Sequence, residues 1–295
     1  MDISWEDARL FLAVAETGSV SGAARRLKLG QPTVTRRLAA LEYQVGTPLF
    51  RRSVEGASLT TVGERLVPSA RKMAEWAGEL QRAVEASDGS PRGLVKVTAS
   101  PFVSFDFVAP FAGLVARKHP GLRLEVISSI QYLDLARGEA DIALRARAPA
   151  NPDLTVVHTL QIDNAVFVSR ELKARLPKKP KLSEIPFCAW CPPYDMVPPN
   201  PQLVAAIPNF EPAFTADHFL IMLAAAHAGV GAMFLGRVQH RFSKDSPLVP
   251  LDLDLGPHAK QELHLVCPKS ALDIPRVRRV VELLVDELKA TKRGR

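Results

Sequence analysis

The chain has 295 residues, of which 47% are hydrophobic and 23% charged, and its formal net charge is +7. These values are ordinary for a globular protein of two or three domains, and the positive charge favours a polyanionic partner. We expect a cytoplasmic protein: the N-terminus lacks the order of a secretory signal, no stretch resembles a membrane span, and 3 cysteines suit a reducing compartment.

The first 45 residues predict three short helices. Residues 4–17 place apolar side chains on one helical stripe, which indicates the first helix. A second, shorter helix follows, with Ser19 or Ser21 as its candidate cap. After a tight turn, Pro32 suits the first turn of a third helix, which we expect to end at about Val45.

Helical angles of ~100° per residue divide the third helix into two faces. The face expected to be buried comprises Val34, Leu38, Leu41 and Val45. The opposite face is short, hydroxylated and cationic, and it comprises Pro32, Thr33, Thr35 and Arg36, with Gln31 at its leading edge. In a DNA major groove arginine pairs with guanine and glutamine with adenine. A surface helix with solvated arginines is the alternative, but the preceding helix and turn favour a helix-turn-helix.

The segment around this helix is strongly basic. Residues 19–52 contain seven arginines and lysines against Glu42 alone, so their net charge is 7 − 1 = +6. After the third helix, a short hairpin or wing is expected around Glu55 and Gly56. Arg51 and Arg52 at its base are candidates for contacts with DNA phosphates.

A long helical pattern follows, from a cap at Thr61 to about Ser87. Its apolar residues recur about seven or four apart, at Leu66, Met73, Leu80 and Val84. Such a seam is longer than one small domain needs, and it predicts a linker helix that pairs with its own copy. Residues 87–91, SDGSP, then read as a linker.

From Gly93 onward the pattern alternates between strands and helices, which predicts parallel α/β folding. The expected order is a strand at 94–98, a helix at 104–118, a strand at 122–127, a helix near 131–137 and a strand at 140–144. A second set follows, with strands at 165–169, 187–190, 231–234 and 263–267 and helices near 217–228 and 274–290. Two α/β lobes with a ligand cleft between them are expected.

Two cysteines, Cys188 and Cys191, form a CxxC pair that raises a redox or metal hypothesis. A pair supplies only two of the four ligands that structural zinc needs, and Cys267 is distant in sequence. The alternative is that they are small apolar residues beside Trp190. The sequence has no HExxH, GxGxxG, Walker or GxSxG motif, so we expect no enzyme, no cofactor and no metal.

At this point the chain closely resembles the LysR-type transcriptional regulators over essentially its full length. The resemblance is most specific in FLAVAETGSVSGAARRL, QPTVTRRLAALE, VGTPLFRR and LTTVG, and it continues in FVAPFAGLVARKHPGLRLEV, LARGEADIAL and AAAHAGVGA. It implies a winged helix-turn-helix in residues 1–61, a dimerising linker helix and hinge in 62–91, and a periplasmic-binding-protein-like effector domain in 92–295. The expected lobes are 92–162 with 268–295, and 163–267.

The resemblance also implies partners and site residues. The partners are promoter DNA with interrupted inverted repeats, a small-molecule effector, a second copy in a homodimer or homotetramer, and RNA polymerase. The residues expected at DNA are Gln31, Pro32, Thr33, Thr35, Arg36, Arg37, Arg51 and Arg52. Many members have serine before the Gln-Pro pair, whereas this chain has Gly30, which can cap but offers no hydroxyl for a phosphate.

For the effector, the resemblance points to loops after strands of both lobes. The expected residues are Ser100, Pro101, Phe102, Ser128, Ser129, Arg145, Trp190, Thr215 and Asp217. Ser100 near a helix start suits a carboxylate, and its alternative is a plain N-cap. Arg145 suits an acidic effector, and its alternative is a solvated strand end.

Overall fold

The computed structural model describes residues 3–53, 56–86, 91–243 and 245–293. The chain divides into two compact units, Met1–Asp88 with Ala136–Glu139, and Gly89–Leu135 with Ala140–Arg295. None of the helices in these described ranges is long and apolar enough to cross a membrane. Glu55 in the predicted hairpin and residues 87–90 of the predicted linker lie outside the described residues.

Three short helices begin the first unit, as the sequence predicts: α1 Trp5–Thr17, α2 Val20–Leu27 and α3 Gln31–Val45. Ser4 caps α1 by accepting a hydrogen bond from the backbone N–H of Asp7, and Ser19 caps α2 in the same way through Gly22. The cap of α2 is therefore Ser19 and not Ser21. Each cap satisfies a backbone N–H that has no partner within its helix.

The apolar face predicted for α3 is confirmed. Val34, Leu38 and Leu41 are buried, and Val45 is partly buried against the same hydrophobic core. This core also contains apolar side chains of α1, including Phe11 and Leu12, so the buried face of α3 packs against α1 and α2. On the opposite face of α3, Gln31, Pro32 and Arg36 are exposed.

A hairpin and a long helix complete the first unit. Strands β1 Phe50–Ser53 and β2 Gly56–Leu59 pair antiparallel, which confirms the wing, and α4 Thr61–Ala86 follows. The predicted cap at Thr61 is wrong by one residue: Thr60 accepts the hydrogen bond from the N–H of Gly63 at 3.1 Å. The hydroxyl of Thr60 also donates to the carbonyl of Pro48, which a pattern read along the helix alone cannot show.

The α4 seam also differs from its prediction at one position. Leu66 is partly buried against the core of the first unit and so does not belong to an exposed stripe. Met73, Leu80 and Val84 are exposed, and Trp76 lies on the same side of the helix. The exposed apolar stripe therefore runs from Met73 to Val84, at spacings of three and four residues.

The second unit begins with three parallel strands, β3 Gly93–Ala99, β4 Leu122–Ser128 and β5 Ile142–Arg145. Between β3 and β4 the chain is helical from Pro101 to Lys118: α5 Pro101–Val103 and α6 Ala109–Lys118 flank a π-helical turn, Ser104–Val108. The helix predicted at 104–118 thus exists but begins three residues earlier.

The helix predicted near residues 131–137 is absent from this described segment and is replaced by bends and a turn over residues 135–138. Only Leu135 and Ala136 are buried there, and polar contacts also hold the segment: Arg82 donates to the carbonyl of Ala136, and Arg137 donates to Glu16. Gly138 has a φ of 75°, which stops a right-handed helix at that point.

The rest of the second unit alternates strands and helices. The elements are β6 Leu154–Ser169, α7 Arg170–Arg175, β7 Cys188–Trp190, α8 Asn200–Ala206, β8 Phe214–Ala216, α9 Phe219–His227, β9 Met233–Gln239, β10 Leu248–Pro250, β11 Lys260–Pro268, α10 Pro275–Lys289 and β12 Lys292–Arg293. The main sheet has the order β12-β9-β6-β11-β5-β3-β4 with β10 beside β6, and a small separate sheet pairs β7 with β8.

Two long antiparallel strands, β6 and β11, join the halves of this unit. From Leu154 to Asp163, β6 pairs with β11, and from Asp163 to Phe167 it pairs with β9. The first half therefore holds β3, β4 and β5, and the second holds β7–β10 with α7–α9. The predicted strand 165–169 is only the last third of β6. The earlier part of β6 was not predicted, because its apolar residues alternate with polar ones and its partner strand, β11, is distant in sequence.

Candidate functional site

The first candidate surface is the outer face of α3. Gln31, Pro32, Arg36 and Arg37 are exposed, and Thr33 and Thr35 are half-buried beside them. Arg51 is exposed on β1, whereas the side chain of Arg52 lies outside the described residues. The structure therefore describes the side chains of seven of the eight predicted DNA residues, and six of these seven lie on α3.

The cations of this surface are available to an outside partner. Among the described residues no carboxylate forms an ion pair with Arg36, Arg37 or Arg51. The nearby acid, Glu42, has a structural task instead: its Oε1 accepts hydrogen bonds from the backbone N–H groups of Leu49 and Phe50, at 2.8 and 3.0 Å. Glu42 therefore joins α3 to the start of the wing.

Gly30 holds the N-cap position of α3 without a side-chain hydrogen bond. Its carbonyl accepts from the backbone N–H of Val34 at 3.1 Å, so the helix starts normally. Because glycine supplies no hydroxyl, the α3 N-terminus offers backbone N–H groups alone at this position.

One exposed residue on α3 was missed by the sequence reasoning. Tyr43 has 90% of its surface exposed, and it lies two helical turns beyond Arg36 on nearly the same side. Its spacing of seven residues from Arg36 was the available signal. The smaller Ala39 and Ala40 lie between them, so the face remains open.

The second candidate site is a cavity of about 660 Å³ within the second unit. Six of the nine predicted effector residues line it: Ser100, Pro101, Phe102, Ser129, Arg145 and Trp190. These residues follow β3, β4, β5 and β7, which is where loops beyond parallel strands converge.

The other three predicted residues lie away from this cavity. Ser128 is the exposed last residue of β4, Thr215 is exposed in β8, and Asp217 is exposed just after it. Successive residues of a strand face opposite sides, so Ser128 and its neighbour Ser129 do not share the cavity. Their different positions follow from this alternation.

Several lining residues were absent from the prediction. They are supplied by the loop after β4, by α8 and α9, and by the long strands, and they include Tyr132, Asn164, Gln202, Phe219, Met222 and His240. Tyr132 belongs to the same loop as Ser129 and could have been predicted from the sequence as a lining residue. Phe219 and Met222 lie on the helix predicted near 217–228, but the sequence did not indicate that this helix lines the cavity. Asn164, Gln202 and His240 lie on or next to elements whose bounds or existence the sequence did not indicate.

Arg145 is the most unusual polar group of the cavity. It ends β5, its guanidinium carbon lies 5.6 Å from the ring centre of Tyr132, and its Nε and Nη2 are buried without a hydrogen-bond partner among the described residues. Burial lowers the pKa of Arg145, and charge interactions with Tyr132 and Asp134 act in the opposite direction.

A second polar pair of the cavity is fully engaged. His240 Nε2 lies 2.7 Å from Asp106 Oδ2, and His240 Nδ1 accepts from the backbone N–H of Phe242 at 3.2 Å. The proton is therefore on Nε2, which donates to Asp106. Asp106 belongs to the π-helical turn, so this bond joins that turn to the segment after β9.

The cysteines are all free thiols. Cys188 and Cys267 are buried, and burial raises the pKa of Cys188 to about 11 and that of Cys267 to about 12. Cys191 is half-buried. Thiols react as thiolates, so Cys188 is a poor redox partner for Cys191 at neutral pH. Across the described ranges no group of three or more His, Cys, Asp or Glu residues is arranged to hold a metal ion.

This difference predicts a labelling pattern. At pH 8 we expect iodoacetamide to alkylate Cys191 alone in the folded protein and all three cysteines in urea, because Cys188 and Cys267 are buried and their raised pKa values keep them protonated. Peptide mass spectrometry reads the sites directly. Rapid labelling of Cys188 in the folded chain would contradict this and reopen the redox hypothesis.

Two protein-family models match the chain. Residues 5–64 match "Bacterial regulatory helix-turn-helix protein, lysR family", and residues 88–289 match "LysR substrate binding domain". The first match contains α1–α3, the wing and the start of α4. The second contains the cavity.

Curated relatives are described as HTH-type transcriptional regulators. An HTH-type transcriptional regulator of Xanthomonas campestris is 30% identical over 163 residues, which is 55% of this chain and 47% of that protein. CrgA of Neisseria meningitidis is 28% identical over 175 residues, 59% of this chain and 58% of CrgA. TfdS of Cupriavidus pinatubonensis is 30% identical over 181 residues, which is 58% of this chain and 60% of TfdS. The chain thus spans about half to three fifths of the length of these relatives.

Solved structures extend the similarity to the whole chain. The structure of CrgA, a LysR-type transcriptional regulator from Neisseria meningitidis, superposes with a TM-score of 0.55 at 25% identity and covers 96% of this chain and 98% of its own. A full-length OxyR variant from Pseudomonas aeruginosa has a TM-score of 0.61 at 17% identity, covering 100% and 99%, which shows a shared fold.

Proposed function

Since the chain belongs to the LysR family of bacterial regulatory helix-turn-helix proteins, we propose that it is a transcriptional regulator. It binds promoter DNA through α3 and the wing, and a small-molecule effector in the cavity of the second unit controls that activity. The observation that carries the proposal is the cationic face of α3, which has no ion-pair partner among the described residues and is held by a buried apolar face.

We assign residues 1–61 to DNA binding, 62–91 to the linker helix and 92–295 to effector binding, with lobes 92–162 plus 268–295, and 163–267.

The residue types on α3 and β1 suit two kinds of contact with DNA, one with bases and one with phosphates. Arg36 lies in the middle of the exposed face and can reach guanine O6 and N7, and Gln31 at the N-terminus can reach adenine. Thr33 and Thr35 offer hydroxyls and methyl groups between them. We assign phosphate binding, which positions the helix without reading bases, to the exposed residues Arg51 on β1 and Arg37 beside the face.

The proposed effector site is the cavity lined by Ser100, Ser129, Arg145 and Trp190. Its volume of about 660 Å³ lies within the range of small-molecule sites, and its lining combines apolar and aromatic side chains with polar and charged groups. Ser100 caps the helix that starts at Pro101 without using its side chain for that cap, so its hydroxyl is available to a ligand.

The proposed working form is a homodimer or a tetramer built from dimers through the exposed stripe on α4. Two copies of α3 can then read two half-sites of an inverted repeat. As a regulator of transcription, the protein would work in the cytoplasm, on the chromosome, and contact RNA polymerase. The family consists of transcriptional regulators and not of enzymes, and the proposal assigns no catalytic residue.

Base reading by Arg36 is testable against phosphate binding by Arg51. We expect Arg36→Ala to weaken binding to the preferred duplex by ~1–3 kcal/mol and to relax specificity at one base pair. Arg51→Ala should weaken preferred and random duplexes alike and lower the salt dependence by about one phosphate contact. The two variants remove the same charge, so charge alone cannot explain a difference.

The measurement is fluorescence anisotropy at several salt concentrations on an operator selected from a random-sequence duplex library. Equal losses of both variants on selected and random DNA would remove Arg36 from base reading. If the unaltered protein selects no sequence at low salt, the proposed function is wrong.

A further inference from the structure

Arg145 is a cation in the cavity with two guanidinium nitrogens that lack acceptors. Its Nε and Nη2 are buried with no hydrogen-bond partner among the described residues, and Tyr132 offers only its ring face. A buried donor without an acceptor destabilises the protein, and the effect is larger for a charged group. A bound carboxylate would supply the missing acceptors and further negative charge.

The two acids that line the cavity have other hydrogen-bond partners. Asp134 attracts Arg145 electrostatically but does not line the cavity and does not accept from its Nε or Nη2. Asp106 accepts the hydrogen bond from His240. Glu262 accepts from Gln161 Nε2 at 2.5 Å and lies 3.2 Å from His264 Nε2. The lining residues carry three cations, Arg145, Arg147 and Lys260, against these two carboxylates, so their formal charge is 3 − 2 = +1. The field inside it therefore favours an anion.

The walls around this charge are aromatic. Phe102 and Phe219 contact each other with ring centroids 5.5 Å apart, and Tyr132 lies against the guanidinium of Arg145. Trp190 and Phe234 also line the cavity. Flat aromatic faces bind a planar apolar ring through offset or edge contacts. The anion is thus expected to carry a ring.

Two lining residues present acceptors that lack donors. Asn164 Nδ2 donates to the carbonyl of His258 at 2.9 Å, which fixes the orientation of the amide, and Asn164 Oδ1 has no partner within the described residues. Gln202 Oε1 is also buried without a described partner. A hydroxyl or N–H on the ligand would satisfy one of these oxygens.

We propose that the effector is a small ring-containing carboxylic acid with one hydrogen-bond donor remote from the carboxylate, and that Arg145 binds the carboxylate. This rests on the proposed function, because the effector site is the cavity named there. The carboxylate forms charge-assisted hydrogen bonds with the guanidinium. The ring lies among Phe102, Tyr132 and Phe219, and the donor faces Asn164 or Gln202.

The test uses the full chain and matched pairs of acids and neutral amides. The probes are para-hydroxybenzoate with para-hydroxybenzamide, and indole-3-acetate with indole-3-acetamide. Isothermal titration calorimetry and thermal shift are expected to show binding of at least one acid and at least tenfold weaker binding of its amide. Arg145→Gln should weaken the acid ~10- to 100-fold, and Arg145→Lys should weaken it less, because the charge remains but the forked donor geometry is lost.

Arg123→Gln is the matched control, since Arg123 is exposed on β4 and does not line the cavity. It removes the same charge and should leave acid binding unchanged. The melting temperature of ligand-free Arg145→Gln should not fall, because the substitution removes a buried charge that has two unsatisfied donors. The melting temperature therefore distinguishes a variant that has lost the residue that binds the carboxylate from a variant that has lost its folded structure.

The proposal is overturned if amides bind as tightly as acids, if Arg145→Gln binds the acids normally, or if neither acid binds at millimolar concentration. Selection of an operator by the ligand-free protein is measured in parallel. Sequence-specific DNA binding without acid binding would reject only the ligand class. Acid binding without any DNA selectivity would reject the proposed regulator function and leave the ligand class intact.

Discussion

Replacing Leu80 with aspartate should convert the protein to a monomer and weaken operator binding by about 100- to 10,000-fold, the gain that linking two half-sites can supply. Leu80 is 71% exposed and lies on α4 between Trp76 and Val84, each 68% exposed, with Met73 one turn further toward the N-terminus. Large apolar side chains in a contiguous exposed stripe mark a surface that another protein covers. An aspartate there would have to be buried against the apolar stripe of the second copy.

The control for this variant is Gln81→Asp, which adds the same charge to the adjacent exposed position. Helical geometry turns residue 81 by ~100° from residue 80, away from the stripe. Light scattering during size-exclusion chromatography gives the oligomeric state, and anisotropy gives operator affinity. A Leu80→Asp protein that remains a dimer would place the interface elsewhere.

Leu38→Ala should destabilise the first unit by ~2–5 kcal/mol and abolish DNA binding although Leu38 faces away from the proposed groove surface. Leu38 has 0% exposed surface and belongs to the core that joins α1, α2 and α3. A small unit buries little surface in total, so losing one leucine removes a large share of its stability. The result would show that the α3 face depends on the core behind it.

Tyr43→Ala is the control for stability, because it deletes a larger side chain from the same helix at a position that is 90% exposed. Substitutions of that kind usually change the free energy of unfolding by less than about 0.5 kcal/mol. Thermal unfolding is followed by tryptophan fluorescence in a Trp190→Phe background, so that the signal comes from Trp5 and Trp76 of the first unit. Leu38→Ala with an unchanged melting temperature would refute the assigned core.

Helices with a strong local pattern were predictable from the sequence. The bounds of α1, α3 and α10 agree with their predictions within one or two residues, because each carries an apolar stripe of its own. The buried face of α3 followed from helical angles alone, so the opposite, candidate DNA face could be named residue by residue. These features depend on neighbours in the chain and not on the tertiary fold.

Features that depend on distant partners were not predictable in the same way. The first two thirds of β6 were missed because polar residues such as Gln161 have their partners in β11, about a hundred residues later. The helix near 131–137 was predicted from composition, but the segment lacks a second turn of buried contacts. In the cavity, Ser129 and Arg145 were named from strand ends, whereas Asn164 and Gln202 required knowing which loops meet.

The ladder formed by β6 and β11 has a mechanical consequence for the cavity. Only two strands continue from one half of the second unit to the other within the described residues, and their register shifts between Leu265 and Val266. A two-stranded ribbon twists more easily than a broad sheet. Rotation of the halves about this ribbon would also have to break or carry along the hydrogen bond between His240 and Asp106, which links them. A ligand that fits one degree of twist better than another would shift the balance by that difference in affinity.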